Sequence, residues 1–354
     1  MDNFFSANVI HWYQLNKRDL PWRGISDPYK IWVSEVILQQ TRIVQGYDYY
    51  LRFLDKFPTI ASLANASEDE VLLVWQGLGY YSRARNMHAA AKQVMTEFNG
   101  SFPNTYEGIR SLKGVGDYTA AAVASFAFHL PHAVLDGNVF RVLSRFFMID
   151  TPIDTTSGKK EFQALAQELM DEKHPELYNQ GVMDIGATVC LPQNPLCTEC
   201  PLAEGCLAVA QKRQTDYPVK SKKIQTKERY FIYFVVNEED TYYLHRRDNK
   251  DIWAGLYEFP LMELASTFDE NKDLPFVMTF FRKEFTNITI ESISSEMKHV
   301  LTHQTLHAWF ITGSAKLVHN DSKYIRVNRD EIENYAVSKL TNRYWERGNN
   351  RVSL

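Results

Sequence analysis

The segment Cys190–Cys206 reads CLPQNPLCTECPLAEGC and holds all four cysteines of this 354-residue chain. Four thiolates without a histidine ligand are typical of iron–sulfur binding, whereas zinc sites usually pair two short Cys-x2-Cys units across a longer loop, and only one such unit is present. Four unrelated buried cysteines would not gather in one segment, and its three prolines favour tight turns around a compact group. The segment predicts a metal site, with a structural 4Fe-4S cluster favoured over zinc, bound by Cys190, Cys197, Cys200 and Cys206.

The composition is that of an ordinary soluble globular protein, with 23% charged and 45% apolar residues. No basic leader is seen, no apolar run reaches membrane length, and thiolate ligands require a reducing compartment, so the sequence predicts a cytoplasmic protein, nucleoid-associated in a bacterium, without a membrane partner. The net charge of -4 neither predicts nor excludes nucleic acid, because charge of one sign can be concentrated on one face. We expect a monomer with two domains.

The first domain is predicted to be helical over residues 1–211, because apolar residues recur at spacings of three and four. The clearest helical patterns are Tyr29–Leu38, Glu70–Trp75, Ala84–Phe98 and Tyr118–Ala127. Residues 212–228 are poor in apolar side chains and rich in basic ones, which predicts an exposed linker that is either simply solvated or in contact with phosphate.

Short runs of β-branched and aromatic residues follow the linker and predict an α+β domain over residues 229–354. The predicted strands are Tyr230–Val236, Thr241–Arg246, Val277–Phe281 and His307–Gly313. The expected fold class is therefore mostly α, with a smaller α+β domain at the C-terminal end.

Residues 112–120 read LKGVGDYTA and place Gly114 and Gly116 just before an alanine-rich helix. Glycine lets the backbone come close to a ligand, and amides at a helix start can donate to a phosphate oxygen. This is the helix-hairpin-helix pattern of sequence-independent DNA binding. A bare turn between two helices would also use Gly-x-Gly.

Asp136 and Asn138 stand where the next helix is expected to begin. Both residue types cap helices, and a carboxylate is favoured in its ionised form beside a helix start. Asp136 is thus either a plain helix cap or an anion that can stabilise positive charge on a sugar.

Five motifs occur together in this chain: SEVILQQT at residues 34–41, GLGYYSRAR at 77–85, the glycine hairpin, LDGNV at 135–139 and the cysteine segment. In this order and spacing they closely resemble the helix-hairpin-helix DNA glycosylases with an iron–sulfur loop, and most closely the MutY-type adenine DNA glycosylases. The resemblance covers residues 4–210 and continues into the second domain. It implies excision of adenine mispaired with 8-oxoguanine or guanine in double-stranded DNA.

The resemblance also implies catalytic roles. Glu35, whose neighbours are apolar, would have a raised pKa, protonate the N7 atom of adenine and later act as general base for water. Asp136 would stabilise the cationic sugar, while Tyr118 and Asn138 would hold the reacting groups in register.

Tyr118 stands where endonuclease III-like enzymes carry the lysine that forms a Schiff base and cuts the strand. Lys113 is the one amine in the hairpin, at the other end of the loop. The sequence therefore predicts a monofunctional glycosylase. The alternatives are an endonuclease III-like glycosylase and lyase, or a non-catalytic iron–sulfur DNA-binding protein.

Several further positions match DNA-contacting residues of the family. Those at the lesion or on the DNA backbone are Gln39, Gln40, Thr41, Tyr80, Gly114 and Gly116. Those matching the adenine pocket are Arg18, Leu20, Trp22 and Gln180, although Gln180 replaces a glutamate of some relatives, and core packing is an equal explanation for Leu20 and Trp22.

The second domain contains WAGLYEFP at residues 253–260, which is similar to a strand-turn segment of Nudix-fold domains, but the acidic box of Nudix hydrolases does not follow. The resemblance implies a non-hydrolytic domain that recognises 8-oxoguanine. Leu301, Thr302 and His303 match a Phe-Ser-His loop that senses this base in MutY-type enzymes. Threonine retains the hydroxyl, whereas leucine loses the aromatic face; an ordinary strand end is the alternative.

Overall fold

The computed structural model describes residues 2–221, 226–248, 250–319 and 323–349. Contacts divide the chain into two compact units: a helical unit, Met1–Asn65 with Asn86–Lys223, and a C-terminal unit, Ala66–Arg85 with Ile224–Leu354. The sequence placed residues 66–85 in the helical domain, whereas their contacts group them with the C-terminal unit. Residues 222–225 of the predicted linker and the last five residues of the predicted second domain lie outside the described residues.

Fourteen α-helices occur in the described residues. They are α1 Asp2–Asn16, α2 Pro28–Leu38, α3 Ile43–Lys56, α4 Ile60–Asn65, α5 Glu68–Trp75, α6 Ser82–Glu97, α7 Tyr106–Ser111, α8 Asp117–Phe128, α9 Gly137–Phe147, α10 Thr156–Glu168, α11 Pro175–Thr188, α12 Leu207–Ala210, α13 Glu270–Phe281 and α14 Lys339–Asn349. The four helices predicted in the first domain are thereby confirmed, with ends that differ by a residue or two.

Helix α2 shows how the local sequence fixes an element of the site. Asp27 caps it by accepting hydrogen bonds from the backbone amides of Tyr29 and Lys30 at 3.0 and 3.2 Å, and Pro28 occupies the first turn, where its missing N–H costs nothing. Its side chains from Ile31 to Ile37 are all buried, including Glu35. Because α2 packs against α8, and α11 packs against α1, α8 and α9, the polar residues of these helices lie in one region of the helical unit.

The C-terminal unit is built on one mixed sheet. Its strands are β1 Lys227–Glu238, β2 Thr241–Arg246, β3 Tyr257–Glu258, β4 Leu261–Leu264, β5 Phe285–Ile293, β6 Met297–Val300, β7 Gln304–Leu317 and β8 Ile325–Asn328. The main strand order is β3-β2-β1-β7-β5, with β1 and β7 parallel and the other pairs antiparallel. Successive side chains of β1 enter two different cores on opposite faces, so both faces of the sheet are covered.

The strand predicted at Val277–Phe281 is wrong, because these residues form the end of α13. Asp269 caps this helix by accepting from the amide of Asn271 at 3.0 Å. Val277, Met278 and Phe281 then fall on one helical face and pack into a core of the sheet. The strands predicted at Thr241–Arg246 and His307–Gly313 are confirmed.

Candidate active site

Glu35 and Tyr118 form the centre of the candidate site. The Tyr118 hydroxyl donates to Glu35 Oε2 at 2.6 Å, and Glu35 is only 7% exposed. Burial raises the pKa of Glu35, and the hydrogen bond from Tyr118 and the positive charge of Arg23 partly oppose this, while Asp136 adds to it. Burial likewise holds the pKa of Tyr118 well above its usual range. Burial therefore shifts both groups toward their protonated forms.

Asp136 caps helix α9 as the sequence predicted. Its Oδ1 accepts from the backbone amides of Asn138 and Val139 at 2.9 and 2.8 Å, and its Oδ2 accepts from the side-chain amide of Asn138 at 2.8 Å. Burial raises the pKa of Asp136, and these three donors oppose the rise by stabilising the carboxylate. Gly186 permits the close packing here, since a Cβ at that position would lie 2.5 Å from the Asn138 Cβ.

A polar cluster surrounds Gln180 on helix α11. Gln180 Oε1 accepts from the Tyr13 hydroxyl at 2.6 Å and from Arg23 Nη1. One turn further along the helix, Asp184 accepts from both Arg18 and Arg23, the latter at 3.0 Å. The structure thus brings together Arg18 and Gln180, two of the residues predicted for the adenine pocket.

The other two residues predicted for the pocket are placed differently. Trp22 is buried, and its ring packs edge-on against Tyr50 with 5.1 Å between centroids. Leu20 is half-buried. The packing of Trp22 is that of a core residue, and contact of either side chain with a base stays a prediction.

The predicted DNA-contacting loop follows α2. Gln39 donates to Thr119 Oγ1 at 3.2 Å, which ties the loop to the first turn of α8. Gln40 is exposed with a φ of 57°, a left-handed conformation that turns the chain sharply, and Thr41 donates to the Gln39 carbonyl at 3.4 Å. These three consecutive residues lie on the turn that follows α2, and their contact with DNA stays a prediction.

The two hairpin glycines have different surroundings. Gly114 has a φ of 76°, and a Cβ there would lie 2.5 Å from the Asn86 Cβ. Gly116 caps α8 with a φ of -93° and has no heavy atom within 4 Å of the position of a Cβ. Gly114 is therefore required by the turn, whereas Gly116 leaves open space beside the first amides of the helix.

In the C-terminal unit, Tyr80 and Thr302 are in direct contact through their hydroxyl groups. Tyr80 has a φ of 48° and follows Gly79 with a φ of 76°, so a left-handed turn presents its ring, which is 46% exposed. Thr302 and His303 are exposed between β6 and β7. The structure therefore joins two residues that the sequence analysis assigned to different domains.

The four cysteines line a single cavity in the helical unit. Arg145 Nη1 donates to Cys190 Sγ at 3.3 Å, and Gln214 Nε2 donates to Cys197 Sγ at 3.8 Å. Burial raises the pKa of Cys200 to about 11. In the described part of the chain, no three His, Cys, Asp or Glu side chains are arranged to hold one metal ion. Four sulfurs around a cavity, two of them accepting hydrogen bonds, fit a polynuclear cluster, whose positive iron would keep its ligands deprotonated.

Sequence reasoning missed several polar residues of the site. Arg23, Tyr13 and Asp184 join Gln180 in its cluster. Arg141 donates to Asn138 Oδ1 at 2.8 Å and to the Cys190 carbonyl at 2.6 Å, so it bridges the start of helix α9 and the cysteine segment. One signal was available for Asp184: it lies four residues after Gln180, on the same face of a helix.

Two family models match this chain. One, described as HhH-GPD superfamily base excision DNA repair protein, matches residues 33–171, and the other, a NUDIX domain, matches residues 232–347. The adenine DNA glycosylase of Buchnera aphidicola subsp. Baizongia pistaciae is 34% identical over 330 residues, which are 92% of this chain and 91% of the relative. That of Mus musculus is 45% identical over 213 residues, which are 58% of this chain and 41% of the relative.

Solved structures support the fold. A thermostable thymine-DNA glycosylase has a TM-score of 0.55 at 27% identity and covers 59% of this chain and 97% of its own. A trapped endonuclease III–DNA covalent intermediate has a TM-score of 0.52 at 20% identity, covers 59% of this chain and 96% of its own, and shows the fold alone.

Together the helical fold and the family models define a helix-hairpin-helix DNA glycosylase of base excision repair with a Nudix-like C-terminal domain. Within that class, the chain belongs to the adenine DNA glycosylases. It is thus an adenine-specific enzyme, and the endonuclease III-like and non-catalytic alternatives are set aside. Among the described residues, no helix has the length and apolar character needed to span a membrane.

Proposed function

We propose that this enzyme hydrolyses the N-glycosidic bond of adenine mispaired with 8-oxoguanine or guanine in duplex DNA and does not cut the strand itself. The observation that carries the proposal is the buried Glu35 carboxyl, held by the Tyr118 hydroxyl where a lyase would have an amine. The polar cluster of Arg18 and Gln180 supports an adenine pocket in the same unit.

The chemistry follows from the protonation states that the site favours. Protonated Glu35 gives its proton to N7 of adenine, so the bond between N9 and the sugar C1′ breaks with its electron pair going to the purine. The sugar becomes cationic, and the Asp136 carboxylate, held by three donated hydrogen bonds, stabilises it. Glu35, now ionised, accepts a proton from the water that attacks C1′. The products are free adenine and an abasic site.

Strand cutting would require an amine to form a Schiff base with C1′. Tyr118 has none, and burial keeps its hydroxyl protonated. Lys113, the remaining amine of the hairpin, lies in an exposed turn, where its backbone amide donates to Gln93 Oε1 at 3.1 Å. A monofunctional reaction is therefore the better account.

The opposite base and the cluster complete the proposal. The exposed hydroxyl of Thr302, next to Tyr80, supports recognition of 8-oxoguanine by this edge of the C-terminal unit, with His303 beside it. The cavity lined by Cys190, Cys197, Cys200 and Cys206 supports one 4Fe-4S cluster, which would hold the cysteine segment folded.

The test is product analysis on a labelled duplex containing adenine opposite 8-oxoguanine. Strand breaks should appear only after alkali, and borohydride should trap little covalent protein–DNA adduct. Glu35→Gln serves as the control that lacks excision. Adduct formation in high yield that disappears in Lys113→Gln would overturn the monofunctional assignment and point to Lys113.

A further inference from the structure

His307 lies on strand β7 of the C-terminal unit, and each of its two ring nitrogens contacts a carboxylate. Nδ1 lies 2.5 Å from Glu296 Oε1, and Nε2 lies 2.5 Å from Glu228 Oε2. The His307 side chain is 16% exposed, whereas those of Glu296 and Glu228 are 43% and 46% exposed. The reaction as proposed above gives His307 no role.

The two contacts define the charge of the ring. An ionised carboxylate can only accept a hydrogen bond, and a neutral imidazole has only one N–H. Glu228 and Glu296 remain accessible to water, where carboxyl groups are ionised near neutral pH. Both contacts are therefore hydrogen bonds only when both ring nitrogens carry a proton, which is the imidazolium form of His307.

The groups that face His307 favour this form. The hydrogen bond to Glu296, and after it the one to Glu228, raises the pKa of His307 against the opposing effect of burial. On β1, the Tyr230 ring stacks on the imidazole with 5.1 Å between centroids, and the face of such a ring attracts a cation. On β6, Lys298 stands opposite His307 in the strand register, but it is exposed, so water weakens the repulsion between the two charges.

His307 also connects the hairpin of β6 and β7, whose turn is the proposed reader of 8-oxoguanine, to strand β1. Glu228 is on β1 and Glu296 immediately precedes β6, so the imidazolium joins three strands at one point. The same end of β1 contacts the turn directly, because the Lys227 amide donates to the His303 carbonyl at 3.0 Å. The two ion pairs therefore support the strands from which the turn projects.

We propose that His307 is a positioning residue for lesion recognition, which as an imidazolium paired with Glu228 and Glu296 holds the hairpin in the geometry that recognises 8-oxoguanine. This inference rests on the proposed function of the turn that carries Thr302. When the ring loses its charge as pH rises, one of the two pairs is lost and the hairpin is held less firmly. The preference for adenine opposite 8-oxoguanine over adenine opposite guanine should then fall at alkaline pH.

The experiment measures single-turnover excision opposite 8-oxoguanine and opposite guanine from about pH 6 to about pH 9. The readout is the ratio of the two rates, because titration of Glu35 affects both substrates and cancels. In wild type the ratio should fall about two- to fivefold as pH rises through the pKa of His307, which is the effect of one ion pair that is partly exposed to water. His307→Gln should show the lower ratio at every pH, and His307→Arg, which stays charged, should show the higher ratio at every pH.

The two carboxylates give a second set of variants that does not depend on the folding of the His307 variants. Glu228→Gln and Glu296→Gln alter exposed residues, and each removes one ion pair, so the fall in the ratio should move to lower pH. The matched control is Glu291→Gln, an exposed change on β5 of the same unit, which should behave as wild type.

Nitrogen NMR of the full-length protein with labelled histidines measures the charge of the ring directly, and His307→Gln identifies its signals. Both ring nitrogens should be protonated at about pH 7, with a titration midpoint above the ordinary histidine value of about 6.5. Glu296→Gln should lower this midpoint.

A midpoint at or below the ordinary value would overturn the proposal, as would a wild-type ratio that changes with pH no more than that of His307→Gln. Equal loss of excision opposite both bases in His307→Gln would also overturn it, because a purely structural residue would cause that result. Failure of the proposed function gives a different result: wild type would show no preference for 8-oxoguanine at any pH, although His307 would still titrate as expected.

Discussion

A carboxyl group that is to deliver a proton near neutral pH has to keep that proton, and the burial of Glu35, the proposed general acid, shifts its pKa in this direction. Water no longer stabilises its anion, so its pKa rises, and the nearby Asp136 carboxylate raises it further. Asp136 is given three hydrogen-bond donors, whereas Glu35 receives one from Tyr118. The local donors of the two carboxyl groups thus differ in the way that their two proposed tasks require.

At this scale the first prediction is that Glu35→Gln abolishes excision while duplex binding is nearly unchanged. The amide keeps the size of the side chain but has no proton to give to adenine, and acid catalysis contributes about 10²- to 10⁴-fold. Single-turnover rates and binding isotherms on the same mispaired duplex measure the two effects. A rate within about tenfold of wild type would remove Glu35 from the mechanism.

How far the residue-level site could be predicted depends on whether a role is visible in the local sequence. Asp136 was predicted as a helix cap because the cap depends on its own neighbours, and the structure bears this out. Asp184 and Arg23 were missed because their pairing joins positions 161 residues apart. Such a contact is set by tertiary packing, and the one local signal, the spacing of Asp184 from Gln180, does not reveal the partner of Asp184.

At the scale of elements, one glycine of the hairpin is required for steric reasons, whereas the other leaves the start of helix α8 open. Gly114 has a backbone conformation that disfavours other residues and a neighbour, Asn86, in the space of a Cβ. Gly116 has neither restriction. The two glycines therefore serve different purposes within one short turn.

We predict that one glycine variant mainly lowers stability and that the other mainly weakens DNA binding. Gly114→Ala should lower the free energy of unfolding by about 1–3 kcal/mol, because alanine is strained at positive φ and its Cβ would overlap Asn86. Gly116→Ala should change stability by less than about 1 kcal/mol but weaken duplex binding, because its methyl group would occupy the approach to the first amides of α8. Denaturant unfolding and binding titrations measure both. Equal losses of stability would contradict the division of roles.

The cysteine segment gives a second prediction at this scale. Cys197→Ser and Cys200→Ser should each lose the iron, the sulfide and the brown colour of the purified protein, since a cluster held by four thiolates is disrupted by loss of one. Thr198→Ser, an exposed change between the two ligands, is the matched control and should retain all three. Stoichiometric zinc without iron in anaerobically prepared wild-type protein would refute the cluster assignment.

Elements themselves were predictable where periodicity was long, and less so where it was short. Helices α2, α6 and α8 each carry two or more turns of pattern. Residues 277–281 offer only five positions, rich in residues that favour strands, and the cap at Asp269 that makes them helical lies outside that window. The family motif within residues 66–85 was likewise visible in the sequence. The contacts that group these residues with the C-terminal unit were not.

At the scale of the whole molecule, the C-terminal unit combines a helical segment with a mixed sheet. Arg246 pairs with Glu68 and Asp69 at 2.7 and 3.2 Å, and the Tyr257 hydroxyl donates to Asp69 at 3.0 Å. These contacts hold the segment that carries Tyr80 beside the turn that carries Thr302. The proposed reader of the opposite base is thus assembled from two distant parts of the chain.

We predict that replacing Thr302 and His303 together by alanine reduces the preference for adenine opposite 8-oxoguanine over adenine opposite guanine. Each lost neutral hydrogen bond is worth about 0.5–1.5 kcal/mol, so the preference should fall by a few kcal/mol at most, while excision opposite guanine stays nearly unchanged. A matched control replaces Thr286 and His319, which are exposed in the same unit. Equal loss on both substrates would indicate general binding or folding, and no loss would place recognition elsewhere.

The central claim is that this chain excises adenine, prefers it opposite 8-oxoguanine, and stops at the abasic site. The most direct test measures single-turnover rates on three otherwise identical duplexes, which contain adenine opposite 8-oxoguanine, adenine opposite guanine, or thymine glycol opposite adenine. The account predicts excision from the first two, faster opposite 8-oxoguanine, with an intact strand until alkali is added, and no reaction with thymine glycol. Faster excision opposite guanine, or cutting of the thymine glycol strand without alkali, would contradict it.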